Sequence, residues 1–95
     1  MKLLIGLGNP GITFKSTRHN IGFRVIEALS QKHKISLNKK KFACIFGEGR
    51  WKQETIILGM PCTYMNLSGR AVRSLVEGLN SSYANLIVIH DDIDL

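Results

Sequence analysis

Ninety-five residues leave room for one small domain, and a hydrophobic fraction of 44% suits a packed core, excluding a disordered chain. The formal net charge is +6, and Asp91, Asp92 and Asp94 all stand in the last five positions, so everything before them is more basic still. Such a balance favours a polyanionic partner, because neutralising phosphates releases counterions.

The chain opens on Lys2-Leu3-Leu4-Ile5-Gly6-Leu7, a short strand buried on both faces. Gly8-Asn9-Pro10-Gly11 turns out of it, and the polar stretch from Thr13 to Arg18 reads as loop. From Asn20 the spacing predicts an amphipathic helix. Ile21, Val25, Ala28 and Leu29 fall on its apolar face with Ile26 at the margin, and Arg24, Glu27 and Gln31 fall opposite. His33, between Lys32 and Lys34, reads as a solvated surface residue, and Lys39-Lys40-Lys41 as a solvated loop that adds to the positive field. Phe42-Ala43-Cys44-Ile45-Phe46 and Thr55-Ile56-Ile57-Leu58 predict a strand pair around the turn Gly49-Arg50-Trp51-Lys52.

A second helix is expected from about Asn66 to Leu79, with Leu67, Ala71, Leu75, Val76 and Leu79 on its buried side and Asn80-Ser81-Ser82 ending it. Either Asn66 or Ser68 suits its N-cap. Leu86-Ile87-Val88-Ile89 reads as another buried strand. Strands interleaved with helices imply a single α/β domain over residues 1–95: a mixed, largely parallel sheet with flanking helices, truncated after the strand that ends near Asp91. Cys44 and Cys62 fit no zinc spacing and no disulfide framework. Cys44, inside an apolar run, is expected to be a reduced, buried and inert thiol. No apolar stretch reaches membrane-spanning length and no signal-like leader opens the chain, which predicts a soluble cytoplasmic protein.

Three polar turns carry the chemistry. His19 lies in Thr17-Arg18-His19-Asn20, Asn66 in Tyr64-Met65-Asn66-Leu67-Ser68-Gly69, and Asp91 in His90-Asp91-Asp92. With Asn9, they supply a proton-transfer base, two neutral amides and a carboxylate. That set suits hydrolysis of an acyl bond by activated water: His takes the proton, a carboxylate orients it, and amides hold the carbonyl. In open α/β sheets ligands gather outside the carboxyl ends of parallel strands. Asn9 follows the first strand and Asp91 the last, so adjacency of those strands would bring both turns to one rim.

Blander readings compete. Gly6-Leu7-Gly8-Asn9-Pro10-Gly11 matches the dinucleotide fingerprint literally, but Ile12-Thr13-Phe14-Lys15 opens more polar loop where a helix should start. The acidic residue expected at the end of a second strand is also missing, since Glu27 lies on a helix. Asp91, Asp92 and Asp94 match no calcium loop, and an extended backbone would point Asp91 and Asp92 apart. His90, ending a strand, suits a hydrogen-bonded structural role better than a catalytic one. No metal site or cofactor is expected.

The same segments resemble a family. Leu4-Ile5-Gly6-Leu7-Gly8-Asn9-Pro10-Gly11 with Thr17-Arg18-His19-Asn20-Ile21-Gly22, then Met65-Asn66-Leu67-Ser68-Gly69, then His90-Asp91-Asp92-Ile93-Asp94-Leu95 are similar, in order and spacing, to the blocks of bacterial peptidyl-tRNA hydrolases. The resemblance covers the whole chain but about the first half of a typical member. A glycine-rich segment with a further asparagine, more strands and a basic helix would complete it. It implies hydrolysis of the ester joining a peptide to the terminal ribose of tRNA, without metal or cofactor. It implies His19 as general base, Asp91 as the acceptor that fixes the imidazole, and Asn9 beside them, positioning water and helping to reject substrates with a free amino group. Asn66 would bind the peptide main chain or position the water, Met65 would line the cleft, and Phe14 and Tyr64 would stack on the acceptor end. Phe14 departs from the tyrosine common at its position, so a hydroxyl contact is lost there. The partner implied is peptidyl-tRNA, with no membrane and no obligate protein partner. The family is monomeric, whereas this half alone is expected to self-associate or to be only partly ordered. Two other readings stand beside catalysis: a truncated, non-catalytic fragment, and a small RNA-binding module.

Overall fold

The structure, a computed structural model, describes residues 1–8, 21–63 and 67–90. Its elements run β1 (Lys2–Gly6), α1 (Ile21–His33), β2 (Lys39–Lys41), β3 (Cys44–Trp51), β4 (Glu54–Pro61), α2 (Ser68–Gly78) and β5 (Leu86–Ile89). They build one five-stranded mixed sheet in the order β2-β3-β4-β1-β5. β2, β3 and β4 pair antiparallel, while β1 lies parallel to β4 on one side and to β5 on the other. The first and last strands are therefore neighbours, with Leu3 opposite Leu86 and Gly6 opposite Ile89. The parallel half of the sheet is the half that carries the polar turns.

Side chains alternate across each strand, so the sheet feeds two cores. Leu3 and Ile5 of β1, Cys44 and Phe46 of β3 and Ile57 of β4 pack against Ala71, Leu75 and Val76 of α2. On the other face Leu58 meets Ile26 of α1 and Ile35, with Leu4, Ile56 and Met60 beside them. β1 lies inside the sheet and feeds both layers, which is why a continuous apolar run specifies it. Each fully buried aliphatic side chain here contributes about 1.5–3 kcal/mol over its exposed state.

Several sequence expectations shift. On α1 the buried line is Gly22 and Ile26, with Val25 and Leu29 half-buried and Ile21 and Ala28 exposed, so Ile26 is the centre of the face rather than its margin. The contact with β1 is made by a glycine, which an apolar-periodicity argument does not count. Lys39–Lys41 is an edge strand rather than a loop, paired antiparallel with β3, and all three lysines are exposed. A lysine-rich edge resists pairing with a stray chain. The β3–β4 hairpin turns two residues later than expected. Lys52 and Gln53 are its two-residue loop, with φ of 50° and 68°, and the strands on either side are longer than the apolar runs alone suggest. Phe42 and Ala43 make a second such turn between β2 and β3, with φ of 57° and 56°.

α2 starts at Ser68, and Leu67 at its N-cap is exposed and makes no side-chain cap, while Val72 joins the buried side. Its end follows the sequence: Asn80 adopts φ 53°, and the Asn80 and Ser81 amides donate to the carbonyls of Glu77 and Val76. β5 is the largest departure. Ile87 and Val88 are 51% and 39% exposed, one on each face, and the outer edge of β5 pairs with no strand among the described residues. The apolar composition that predicts burial is present, but only β1 and one flank cover it.

Candidate functional site

Parallel pairing brings the carboxyl ends of β4, β1 and β5 to one rim of the sheet. There the Leu7 amide donates to the Ile89 carbonyl at 2.9 Å, stitching the outgoing backbones of β1 and β5 together. The amino terminus of α1 is pressed into the same junction. A Cβ on Gly22 would run into the carbonyl oxygens of Ile89 and Leu7, and one on Gly6 into the Gly22 carbonyl. Only a glycine on each side lets helix and strand backbones approach this closely. The result is a helix start, with the partial positive charge of its first turn, fixed beside two strand ends.

The β4 side of the rim is anchored as well. The Cys62 amide donates to the Ala43 carbonyl at 2.8 Å just past the end of β4. Cys44, opposite Pro61 in the ladder, points its Sγ at the Ala71 carbonyl 3.7 Å away, in the first turn of α2. The start of α2 is thus held near the end of β4, and Ser68, its first residue, is 2% exposed. Burial, with Cys62 as a secondary cause, pushes the Cys44 thiol from 9.0 up to about 12, so it is a packing group with no nucleophilic role. Thr63 adds a buried Oγ1 without a hydrogen-bond partner at this end. Sequence reasoning passed over Thr63, whose only signal is its position before the Tyr64-Met65-Asn66 segment.

His19, Asp91, Asn9, Phe14, Tyr64, Met65 and Asn66 lie outside the described residues, as do Asp92 and Asp94. The described elements that flank them do meet. β1 leads to Asn9, α1 follows His19, β5 leads through His90 to Asp91, and the β4–α2 connection contains Tyr64, Met65 and Asn66. Of the other histidines, His90 is exposed. His33 is half-buried rather than solvated, its ring 5.5 Å from that of Trp51. These two rings border an apolar groove of about 330 Å³, with Leu4, Leu29, Ile56 and Ile87. The groove lies towards the amino-terminal ends of β1 and β4, away from the rim, with Lys2 and His33 as its polar lining residues. Among the described residues no three His, Cys, Asp or Glu side chains are grouped to hold a metal ion, and no helix is long and apolar enough to cross a membrane.

Comparison with known proteins agrees with this architecture. A family model described as peptidyl-tRNA hydrolase matches residues 3–95. The peptidyl-tRNA hydrolases of Shouchella clausii and Exiguobacterium sibiricum are 52% and 50% identical over all 95 residues, which make up 51% of each relative. The crystal structure of peptidyl-tRNA hydrolase from Acinetobacter baumannii superposes with a TM-score of 0.91 at 38% identity, covering 100% of this chain and 49% of that one. The chain therefore spans about half the length of the relatives it matches.

Proposed function

The chain belongs to the peptidyl-tRNA hydrolase family, and from that membership we propose that it carries the water-activating half of a site that hydrolyses the ester between a peptide and the terminal ribose of tRNA. His19 is the general base that takes a proton from water. Asp91 accepts the imidazole N–H, fixing the tautomer and stabilising the protonated ring, the part that a triad carboxylate plays. Asn9 sits beside them to position water and to discriminate against a free amino group. Asn66 binds the peptide main chain or positions the attacking water. Met65 lines the cleft, and Phe14 and Tyr64 stack on the acceptor end. The reaction needs no cofactor in this reading.

The observation that supports it most directly is the shared rim. β1 and β5, the strands leading to Asn9 and Asp91, are hydrogen-bonded neighbours, and the helix that follows His19 starts between their ends. A positive chain with this motif order suits an RNA substrate, with cytoplasmic translation as its setting. The test joins this sequence to the remaining half of a full-length relative and follows release of peptide from peptidyl-tRNA. His19→Ala should lower turnover roughly 10²–10⁴-fold with little loss of tRNA binding. In the same protein Asp91→Asn should lower the plateau and move the acidic limb of the pH–rate profile to lower pH, because the carboxylate no longer favours the imidazolium. Unchanged turnover in His19→Ala would remove the base from the mechanism. Binding of tRNA without hydrolysis in the parent would favour the RNA-binding reading instead.

A further inference from the structure

The three exposed lysines of β2 form a row along the sheet edge, and its last member, Lys41, reaches the rim. Lys41 pairs with Cys44, and Cys44 with Pro61 at the carboxyl end of β4, so Lys41 stands level with the strand ends where the proposed chemistry is centred. Three strand spacings of roughly 4.8 Å separate β2 from β1, about 14 Å in all. Residues directly opposite in an antiparallel ladder share a face. Lys41 and Lys39, opposite Cys44 and Phe46, therefore lie on the α2 side, and Lys40, opposite Ile45, lies on the other.

Two contacts shape this side. The Lys41 ammonium sits 5.2 Å from the centre of the Phe42 ring, whose edge fills the space above Gly78 of α2. The Cys44 thiol reaches the Ala71 carbonyl, which brings exposed Arg70, one residue earlier on α2, to the same end of the sheet. The acidic side chains among the described residues are elsewhere or occupied. Glu77 is taken by Arg73 at 2.9 Å and by the Tyr83 hydroxyl at 3.3 Å. Glu48 stands opposite Ile57, further down β3 from the rim, Glu54 faces the amino terminus, and Glu27 is on α1, across the sheet.

We propose that Lys39, Lys41 and Arg70 form a phosphodiester-binding strip that holds the RNA backbone a few nucleotides back from the reacting end. The assignment rests on the peptidyl-tRNA reading and specifies where the tRNA runs: from the β1–β5 junction across the end of β4 towards the β2 edge. Defence of the sheet edge explains a lysine on β2, and Lys40 alone fulfils it. It does not explain two further cations turned to the α2 side, on a row that ends at the rim, with exposed Arg70 in the first turn of the helix that covers that side.

Binding of deacylated tRNA to this sequence joined to the remaining half of a full-length relative, measured by anisotropy across a potassium chloride series, tests the strip. Replacing Lys39, Lys41 and Arg70 together by Gln should reduce the slope of log affinity against log salt by roughly 2, at about 0.7–0.9 per phosphate contact. Removing the same charge at Lys32, Lys34 and Lys52 should leave the slope unchanged. The charge-preserving set Lys39→Arg, Lys41→Arg and Arg70→Lys should keep the parent slope, which separates lost contacts from lost folding. An unchanged slope in the Gln variant, an equal fall in the remote control, or a fall in the charge-preserving set would overturn the strip while leaving the family reading intact. A parent chain with no salt-dependent affinity for tRNA would sink both the strip and its RNA premise.

Discussion

Cys44 shows how much one buried side chain takes from its surroundings. Its thiol is fully buried between β3 and α2 and held near 12, so the folded state keeps it protonated at any pH where an unfolded thiol, at 9.0, begins to ionise. A raised acid pKa stabilises the fold below the unfolded value, and that contribution is lost as pH rises from about 9 towards about 12. Cys44→Ala lacks this dependence but gives up buried sulfur contacts, at a cost of about 1 kcal/mol near neutrality. The stability gap between wild type and Cys44→Ala, read from urea midpoints, should therefore narrow as the buffer is taken above pH 9. A constant gap would mean that the thiol is as free to ionise when folded as when unfolded. This residue was legible from sequence because a cysteine flanked by Phe42, Ala43, Ile45 and Phe46 has few surroundings other than a core. Gly22 was not, because its role is the absence of an atom where two carbonyls approach.

At the scale of elements, the helices and long strands followed their periodicity, whereas the turns did not announce themselves. Both hairpin loops use residues with side chains at left-handed φ, Phe42-Ala43 and Lys52-Gln53, in place of the asparagine and glycine that suit such turns. Phe42 has a reason, since its ring packs on α2 at Gly78. Lys52 and Gln53 are exposed, and nothing in the fold requires their side chains there. Lys52→Asn with Gln53→Gly should stabilise the chain by about 1 kcal/mol by relieving the left-handed strain. Chemical denaturation would show it as a higher midpoint at the same slope. An unchanged or lower midpoint would mean that the Lys52–Trp51 ring contact, at 4.9 Å, outweighs the backbone term. The turn Gly49-Arg50-Trp51-Lys52 was misplaced for a related reason: glycine draws attention as a turn former. Gly49 instead sits within β3, where a Cβ would strike Ile35. β2 escaped notice because three lysines carry no apolar alternation to read.

For the molecule as a whole, the two edges of the sheet are unlike. One is a three-lysine strand, and the other is Leu86-Ile87-Val88-Ile89, apolar on both faces and open on its outer side among the described residues. Apolar, uncharged edges recruit other strands. The isolated 95-residue chain should therefore self-associate at micromolar concentration, and Ile87→Lys should shift it towards monomer. Ile87 is half-exposed, so that change should cost little in the monomer's own stability. Sedimentation velocity decides the matter: a monodisperse wild-type monomer would refute the expectation, and association unaffected by Ile87→Lys would move the contact elsewhere. The α/β class was readable in advance from the interleaving of apolar runs and helical spacing, whereas the β1–β5 neighbourhood entered only as a condition for a shared rim, because apolar runs do not fix strand order. The exposure of β5 was not readable, since composition reports what a strand can bury and not what lies beside it.

The place of β1 between β4 and β5 has a consequence for how the chain is made. Of these five strands, the earliest in the chain is the one whose partners come last: Leu3 waits for Ile57 on one side and Leu86 on the other. At translation rates of about 5–20 residues per second, roughly 4–16 s pass between synthesis of β1 and synthesis of β5. During that interval the β2–β3–β4 meander can form from local contacts, while Leu3 and Ile5 remain without their full sheet. A strand with a neighbour on each side in the finished sheet is thus the one left longest without them during synthesis, and it is there that a holding chaperone would find its longest opportunity.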